Sequence, residues 1–397
     1  MHIAFLTTEY VTEPFFDGGL ANYLHRTAIA LTQRGHKIEI FTRALNTETL
    51  VHQEVIIHRV KPSDRIQRVL HVMTRNRYGS TIRTIASGWS IRQRLLDCHR
   101  TKRFDIVQAA SYLSPGLGLT HFRPVPLVIR VSSFEPLLRR TNDPDKAQSA
   151  NEQHLESLER YTLLHCSAVY APSMFLATIV GNNINRHVDT IRPPFIPDVT
   201  EYDTSVLDRS IGTSPYLLYF GSINRLKGCV VLADALSKVL PIVKELRMVF
   251  VGKIGTLTAT TSLLDYIYQQ AGPHRDRIHY LGRLPHSQLY PLIQRSRGVI
   301  LPSLVDNLPN TCLESMAHEQ VIVGTHATSF EELIENEKSG FLVPPGDAEA
   351  LANAIAKVWH LNDLQRKQIG KNARDRLEDM NPDKACTALE SYFKGLL

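Results

Sequence analysis

The chain has 397 residues, 43% of them hydrophobic and 21% charged, a composition typical of a folded globular protein but too long for a single core. Its formal charge of +6 favours a negatively charged partner, and no apolar run approaches the roughly 20 residues that a membrane-spanning helix needs. Five scattered cysteines with no C-x-x-C pair argue for a reducing compartment, hence the cytoplasm, and against a zinc site. Residues 3–8 are too short for a signal-peptide core, and no Lys or Arg precedes them.

Residues 2–8 read instead as the first strand of a sheet. Asp17-Gly18-Gly19-Leu20-Ala21 follows, ahead of a helix expected over 20–34. Its glycines allow close backbone approach to a ligand, with helix N–H groups behind them. It lacks G-x-G-x-x-G, which argues against a nicotinamide cofactor. Further strands are expected at 37–42, 55–60, 105–108, 126–131, 168–171 and 189–192, and helices at 81–97, 149–164 and 173–181. This alternation predicts a parallel sheet with helices on both faces. Between Arg65 and Arg103 ten Lys or Arg meet one acid, Asp97, with Trp89 and several Ile and Leu among them. That stretch fits first a helix with a solvated charged face and its apolar side in the core, and second a basic amphipathic surface against an anionic membrane. No nucleic-acid-binding motif is present.

Proline and polar residues from Pro193 to Pro215 mark a break. The pattern then restarts, with strands expected at 216–220, 247–251, 278–281, 299–301 and 321–324. Helices are expected at 230–240, 263–271, 286–296 and 311–319, then at 348–359, 364–377 and 384–393. The predicted organisation is a first domain over 1–195, a linker over 196–214, a second domain over 215–377 and a final helix over 378–397 packing back on the first. Doubly wound domains of this kind bind ligands at the carboxyl ends of their strands, here expected in the cleft between the domains.

Two stretches carry the chemistry. In Phe220-Gly221-Ser222-Ile223-Asn224-Arg225-Leu226-Lys227-Gly228, a glycine turns the chain at a strand end, and Lys227 and Arg225 bring positive charge there. In Val305-Asp306-Asn307-Leu308-Pro309-Asn310-Thr311-Cys312-Leu313-Glu314, two carboxylates stand eight residues apart. The first lies in the loop after a strand. The second lies one turn into a helix for which Asn310 reads as the cap. A helix start attracts phosphate, and carboxylates accept hydrogen bonds from hydroxyls, so the combination suits a nucleotide sugar.

At these residues the chain resembles the retaining GT-B glycosyltransferases of the large family 4 type, marked by two glutamates with seven residues between them. The resemblance spans about residues 2–377, is specific in the second domain and generic in the first. It implies an α/β fold of two doubly wound Rossmann-like domains facing across a cleft. It implies transfer of a hexose from a nucleotide diphosphate sugar to a hydroxyl acceptor, sugar or lipid-linked, with retention, in glycan or glycoconjugate synthesis. Lys227 would neutralise the leaving diphosphate and Glu314 would hold the ribose hydroxyls. Asp306 would contact the transferred sugar, although the family usually has Glu there, one methylene longer. Gly18 and Gly19 match the loop that faces the donor phosphates, and Gly221, Leu308, Asn310 and Thr311 line the donor site. The family's diphosphate Arg is Ser222 here, with Arg225 the nearest substitute, and Arg283 stands where the loop passes the nucleobase. Many members carry a histidine after the strand at 127–131; here Ser132, Ser133 and Glu135 occupy that place, which makes Ser132 and Glu135 the acceptor-side candidates. Neither a metal nor a cofactor is implied. The alternatives are a nucleotide-sugar epimerase or a phosphorylase on the same fold, or a non-catalytic nucleotide-binding protein. Peripheral membrane contact is a further expectation.

Overall fold

A computed structural model describes residues 1–13, 19–121, 123–142, 147–197, 201–258 and 260–397. The chain forms two units, Met1–Phe195 with Met380–Leu397, and Ile196–Asp379.

In the first unit the apolar runs become β1 (His2–Thr7), β2 (Lys37–Arg43), β3 (Glu48–His52), β4 (Val55–Val60), β5 (Ile106–Ala110), β6 (Leu127–Arg130), β7 (Ala168–Ala171) and β8 (Asp189–Thr190). They lie in the order β3-β4-β2-β1-β5-β6-β7-β8, parallel apart from β3. β1 and β5 are buried along almost their whole length, as strands covered on both sides must be. The hairpin strand β3 is absent from the sequence reading. Its turn uses Gln53 and Glu54, both at positive φ (48° and 68°), where Asn-Gly or Asp-Gly would have signalled it. The final helix, Pro382–Lys394, buries Cys386, Leu389 and Phe393 in the same core as Ile3 and Phe5 of β1. Arg34 Nε donates to Glu390 Oε1 at 2.6 Å, and His36 Nε2 lies 3.1 Å from the same oxygen. His36 is thus a packing residue between the first helix and the last.

The second unit contains β9 (Leu217–Phe220), β10 (Met248–Val251), β11 (Ile278–Tyr280), β12 (Val299–Ile300), β13 (Ile322–Thr325) and β14 (Phe341–Val343), all parallel in the order β11-β10-β9-β12-β13-β14. Leu232 and Leu236 of the Cys229–Val239 helix pack with Leu351 and Ile355 of the Ala348–His360 helix over Met248 and Phe250. Asp347 caps the latter helix, its carboxylate accepting from the N–H groups of Glu349 and Ala350. Part of the expected linker is built into this unit. Residues Ser205–Ser210 are helical, and the Asp203 N–H donates to the Ser287 carbonyl at 2.9 Å. No helix among the described residues is long and apolar enough to cross a membrane.

Strand order reverses between β1 and β5 in the first unit and between β9 and β12 in the second. Loops diverge at such a point and leave room at the carboxyl ends of the strands. The Lys227 loop follows β9 and the Asp306 loop follows β12, so the second reversal brings both motifs to one place.

Candidate active site

The loop after β9 is shaped by two glycines. Gly221 has φ 125°, and a Cβ there would touch Thr311 Cγ2 at 3.4 Å, so the strand end lies against the start of the Asn310–Ala317 helix. Gly228 has φ 72°, and a Cβ would fall 1.8 Å from the Pro302 carbonyl oxygen. Only glycine allows that backbone-to-backbone approach. The contact is reinforced by the Leu304 N–H donating to the Leu226 carbonyl at 2.8 Å. Between these anchors the Lys227 N–H donates to Asn224 Oδ1 at 2.9 Å, turning the lysine toward the loop after β12.

Lys227 Nζ donates to Asp306 Oδ2 at 2.5 Å. Asp306 is buried, while the lysine side chain keeps about a third of its exposure. Neighbouring hydroxyls hold the acid. Ser329 Oγ donates to the Asp306 carbonyl at 2.8 Å, Ser303 Oγ lies 3.4 Å from Oδ2, and Thr325 Oγ1 donates to the Ser303 carbonyl at 2.6 Å. The shorter Asp side chain therefore reaches a cation presented by another strand.

Glu314 is also buried, and its Oε1 lies 3.8 Å from His286 Nε2. His286 opens the His286–Arg295 helix and stacks on Tyr290, ring centroids 5.1 Å apart. The sequence reading missed its role. The available signal was its place at the start of a helix just after β11.

Asn310 is not the helix cap. Pro309 takes that position, its carbonyl accepting from Cys312 at 3.0 Å and Leu313 at 3.2 Å, and no side chain caps the first turn. The reason is local: Pro309 has φ −75° and ψ 108°, extended as a cap residue must be, and Asn310 enters the helix as its first residue. Thr311 is half-buried beside it, and Leu308 is half-buried in the preceding loop. Ser222 is exposed, its carbonyl accepting from the Tyr219 hydroxyl at 2.7 Å. Arg225 is exposed. Arg283 is exposed in the loop after β11. The second unit thus brings together Lys227 with Asp306, Gly221 with Thr311, and Glu314 with His286.

In the first unit Gly18 lies outside the described residues, and Gly19 is the first residue of the Gly19–Gln33 helix. Ser132 Oγ accepts from the Tyr112 N–H at 3.3 Å and lies 3.4 Å from Ser111 Oγ. Glu135 begins the Glu135–Asn142 helix and lines a cavity of about 80 Å³ with Tyr112, Ser133, Glu152, Glu156 and Glu159. Burial, then the charges of Glu156 and Glu152, push the Glu135 carboxyl above its ordinary range. Burial pushes Glu159 up to about 8, so its carboxyl is largely protonated at neutral pH. The sequence reading missed Glu152, Glu156 and Glu159, which lie on the Ala150–Leu164 helix facing the loops after β5 and β6. Spacing alone made them an ordinary charged helix face. His121 hydrogen-bonds Tyr161 and packs edge-on to His165, a structural role away from Ser132.

Among the described residues, Glu39, His58 and Cys98 bring metal-binding atoms within 4.8 Å of one another. They already have partners. His58 Nε2 and His2 Nε2 lie 2.7 and 3.1 Å from the Glu39 carboxylate, and Arg94 Nη2 lies 3.3 Å from His58 Nδ1, where its charge opposes a cation.

Residues 17–197 match the Glycosyltransferase Family 4 model, and residues 208–376 match the model for Glycosyl transferases group 1. The chain belongs to the family 4 type of GT-B glycosyltransferases. This glycosyltransferase is 26% identical over 408 residues to a glycogen synthase of Mycobacterium tuberculosis, covering 95% of this chain and 90% of that protein. It is 24% identical over 401 residues to a D-inositol 3-phosphate glycosyltransferase of Xylanimonas cellulosilytica, covering 95% and 91%. Its fold matches sucrose-phosphate synthase from Thermosynechococcus elongatus with a TM-score of 0.80 at 17% identity, over 100% of this chain and 99% of that one. It matches Anabaena Alr3699/HepE, solved in complex with UDP and glucose, with a TM-score of 0.73 at 17% identity over 100% of both chains. The enzyme transfers a sugar from a nucleotide sugar. None of the relatives named above is an epimerase or a phosphorylase.

Proposed function

We propose that Lys227 carries the charge of the departing nucleotide diphosphate and that transfer proceeds with retention. The observation that supports this most is the Lys227–Asp306 pair where strand order reverses. A buried carboxylate holds a partly exposed ammonium in place before the donor arrives, so little reorganisation is needed as charge develops. The bond between the anomeric carbon and the diphosphate oxygen breaks, and its electron pair leaves with the phosphate. The acceptor oxygen bonds on the face that the leaving group vacates, and its proton passes to the departing phosphate oxygen. The start of the Asn310–Ala317 helix, with no side-chain cap, adds N–H donors. Lysine and helix start together provide the positive charge that a metal would otherwise supply.

In the same reading Glu314 accepts from the ribose hydroxyls and is oriented by His286. Asp306 keeps Lys227 in position and faces the transferred sugar. Ser132 and Glu135 stand on the acceptor side, and the product is a glycan or glycoconjugate. Lys227→Ala is expected to weaken nucleoside diphosphate binding about ten- to hundredfold, the loss of one charge-assisted contact of roughly 1.5–3 kcal/mol. Titration calorimetry against UDP, GDP and ADP, followed by turnover of the matching sugar nucleotide, measures both effects. Wild-type affinity and turnover in the variant would remove Lys227 from the diphosphate role.

A further inference from the structure

The Asp64–Thr74 helix turns three of its five apolar residues outward. It is eleven residues long and none of them is buried. At 100° per residue, Arg65, Arg68, Val69, Val72 and Met73 share one face, and all five are exposed. Val69, Val72 and Met73 keep 53%, 80% and 75% of their exposure. Ile66 and Leu70 continue the same apolar arc beyond Met73 and are half-buried, as is His71 on the opposite side. The helix is anchored rather than loose. Ser63 caps it by accepting from the Ile66 N–H, and the Ser63 N–H donates to Ser90 Oγ of the Gly79–Thr101 helix at 3.0 Å. It ends at Arg75 with φ 49°, and Arg77 follows close behind.

Charge indicates what covers this face. Five cations and one acid lie between Lys61 and Arg77. The acid, Asp64, pairs with Lys61 at 2.7 Å, which leaves four arginines around the apolar patch. A face that contacts a protein core would be apolar at its centre, with charges of both signs at its rim. Here the charges are of one sign and sit on long stems beside the apolar residues, an arrangement that suits phosphate headgroups above acyl chains.

We propose that the Asp64–Thr74 helix lies in the headgroup layer of an anionic phospholipid bilayer. Val69, Val72 and Met73 enter the acyl boundary, and Arg65, Arg68, Arg75 and Arg77 bind lipid phosphates. The helix lies parallel to the surface and does not span it. This docks the first unit, which carries the acceptor-side candidates, on the membrane. The proposal is independent of the donor-site reading, since it uses none of the same residues.

The test is sedimentation of the full-length enzyme with phosphatidylcholine vesicles, with and without phosphatidylglycerol, across a salt series. The enzyme is expected to pellet with the anionic vesicles only, and binding is expected to fall as salt shortens the screening length. Arg68→Gln with Arg75→Gln is expected to weaken binding about thirtyfold, the loss of two typical surface contacts. Val72→Ser with Met73→Ser is expected to weaken it at every salt concentration. Absence of pelleting with anionic vesicles at low salt would overturn the proposal, as would equal pelleting with neutral ones. So would analytical ultracentrifugation showing a dimer that the serine pair dissociates, because a second copy would then cover the face.

Discussion

Asp306 and Glu314 stand eight residues apart, one in a loop and one in a helix, and the structure gives each a different neighbour. Asp306 meets Lys227, and Glu314 meets His286. The most perturbed carboxyl among those lining the Glu135 cavity is at Glu159. Its folded pKa of about 8 lies above the ordinary glutamate value of 4.5. Between these values the folded protein binds more protons than the unfolded chain. Stability therefore falls as pH rises through that window, by up to about 1.4 kcal/mol per pH unit. Glu159→Gln should remove this slope. We expect its melting temperature to match or trail wild type at about pH 5 and to exceed it at about pH 8. Equal differences at both pH values would show that Glu159 ionises normally.

At the scale of elements, the site depends on how closely one loop approaches another. The turn at Gly228 lets the Lys227 loop lie against the end of β12 with no side chain between them. Gly228→Ala introduces a Cβ into the Pro302 carbonyl and strains a left-handed backbone, and such strain alone costs of order 1–3 kcal/mol. The expected outcome is a lower melting temperature for the second unit and a displaced Lys227, hence weaker nucleoside diphosphate binding, read by calorimetry. Gly35→Ala serves as a control, because a Cβ there meets nothing within 4 Å although its φ of 86° is also positive. If both variants lose the same stability and the first keeps full nucleotide affinity, the close approach does not position the lysine.

Over the whole molecule, the two ends of the chain share a core. Phe393 is fully buried against the first unit's sheet, almost four hundred residues along the chain from β1. Phe393→Ala should cost about 3–5 kcal/mol, the usual range for truncating a buried aromatic. Scanning calorimetry should show the transition of the first unit moving down while that of the second stays in place. A shift of the second transition alone would assign this helix to the wrong unit.

Much of this enzyme is written locally in its chain. Apolar runs of β length separated by amphipathic stretches specify strands and helices, and their alternation specifies parallel sheets, because side-chain period and crossover length are local properties. The Lys227 loop and the Asp306–Glu314 segment were legible for the same reason: glycine at a strand end and acids around a helix start have a local physical meaning. What failed locally was conformation without its usual residues. The β3 turn uses Gln53 and Glu54 at positive φ. Only the tertiary structure paired Lys227 with Asp306, set His286 beside Glu314 and closed four glutamates around a small cavity. Those contacts join residues from separate strands and helices, and their distances depend on strand order and on the loops that diverge where that order reverses.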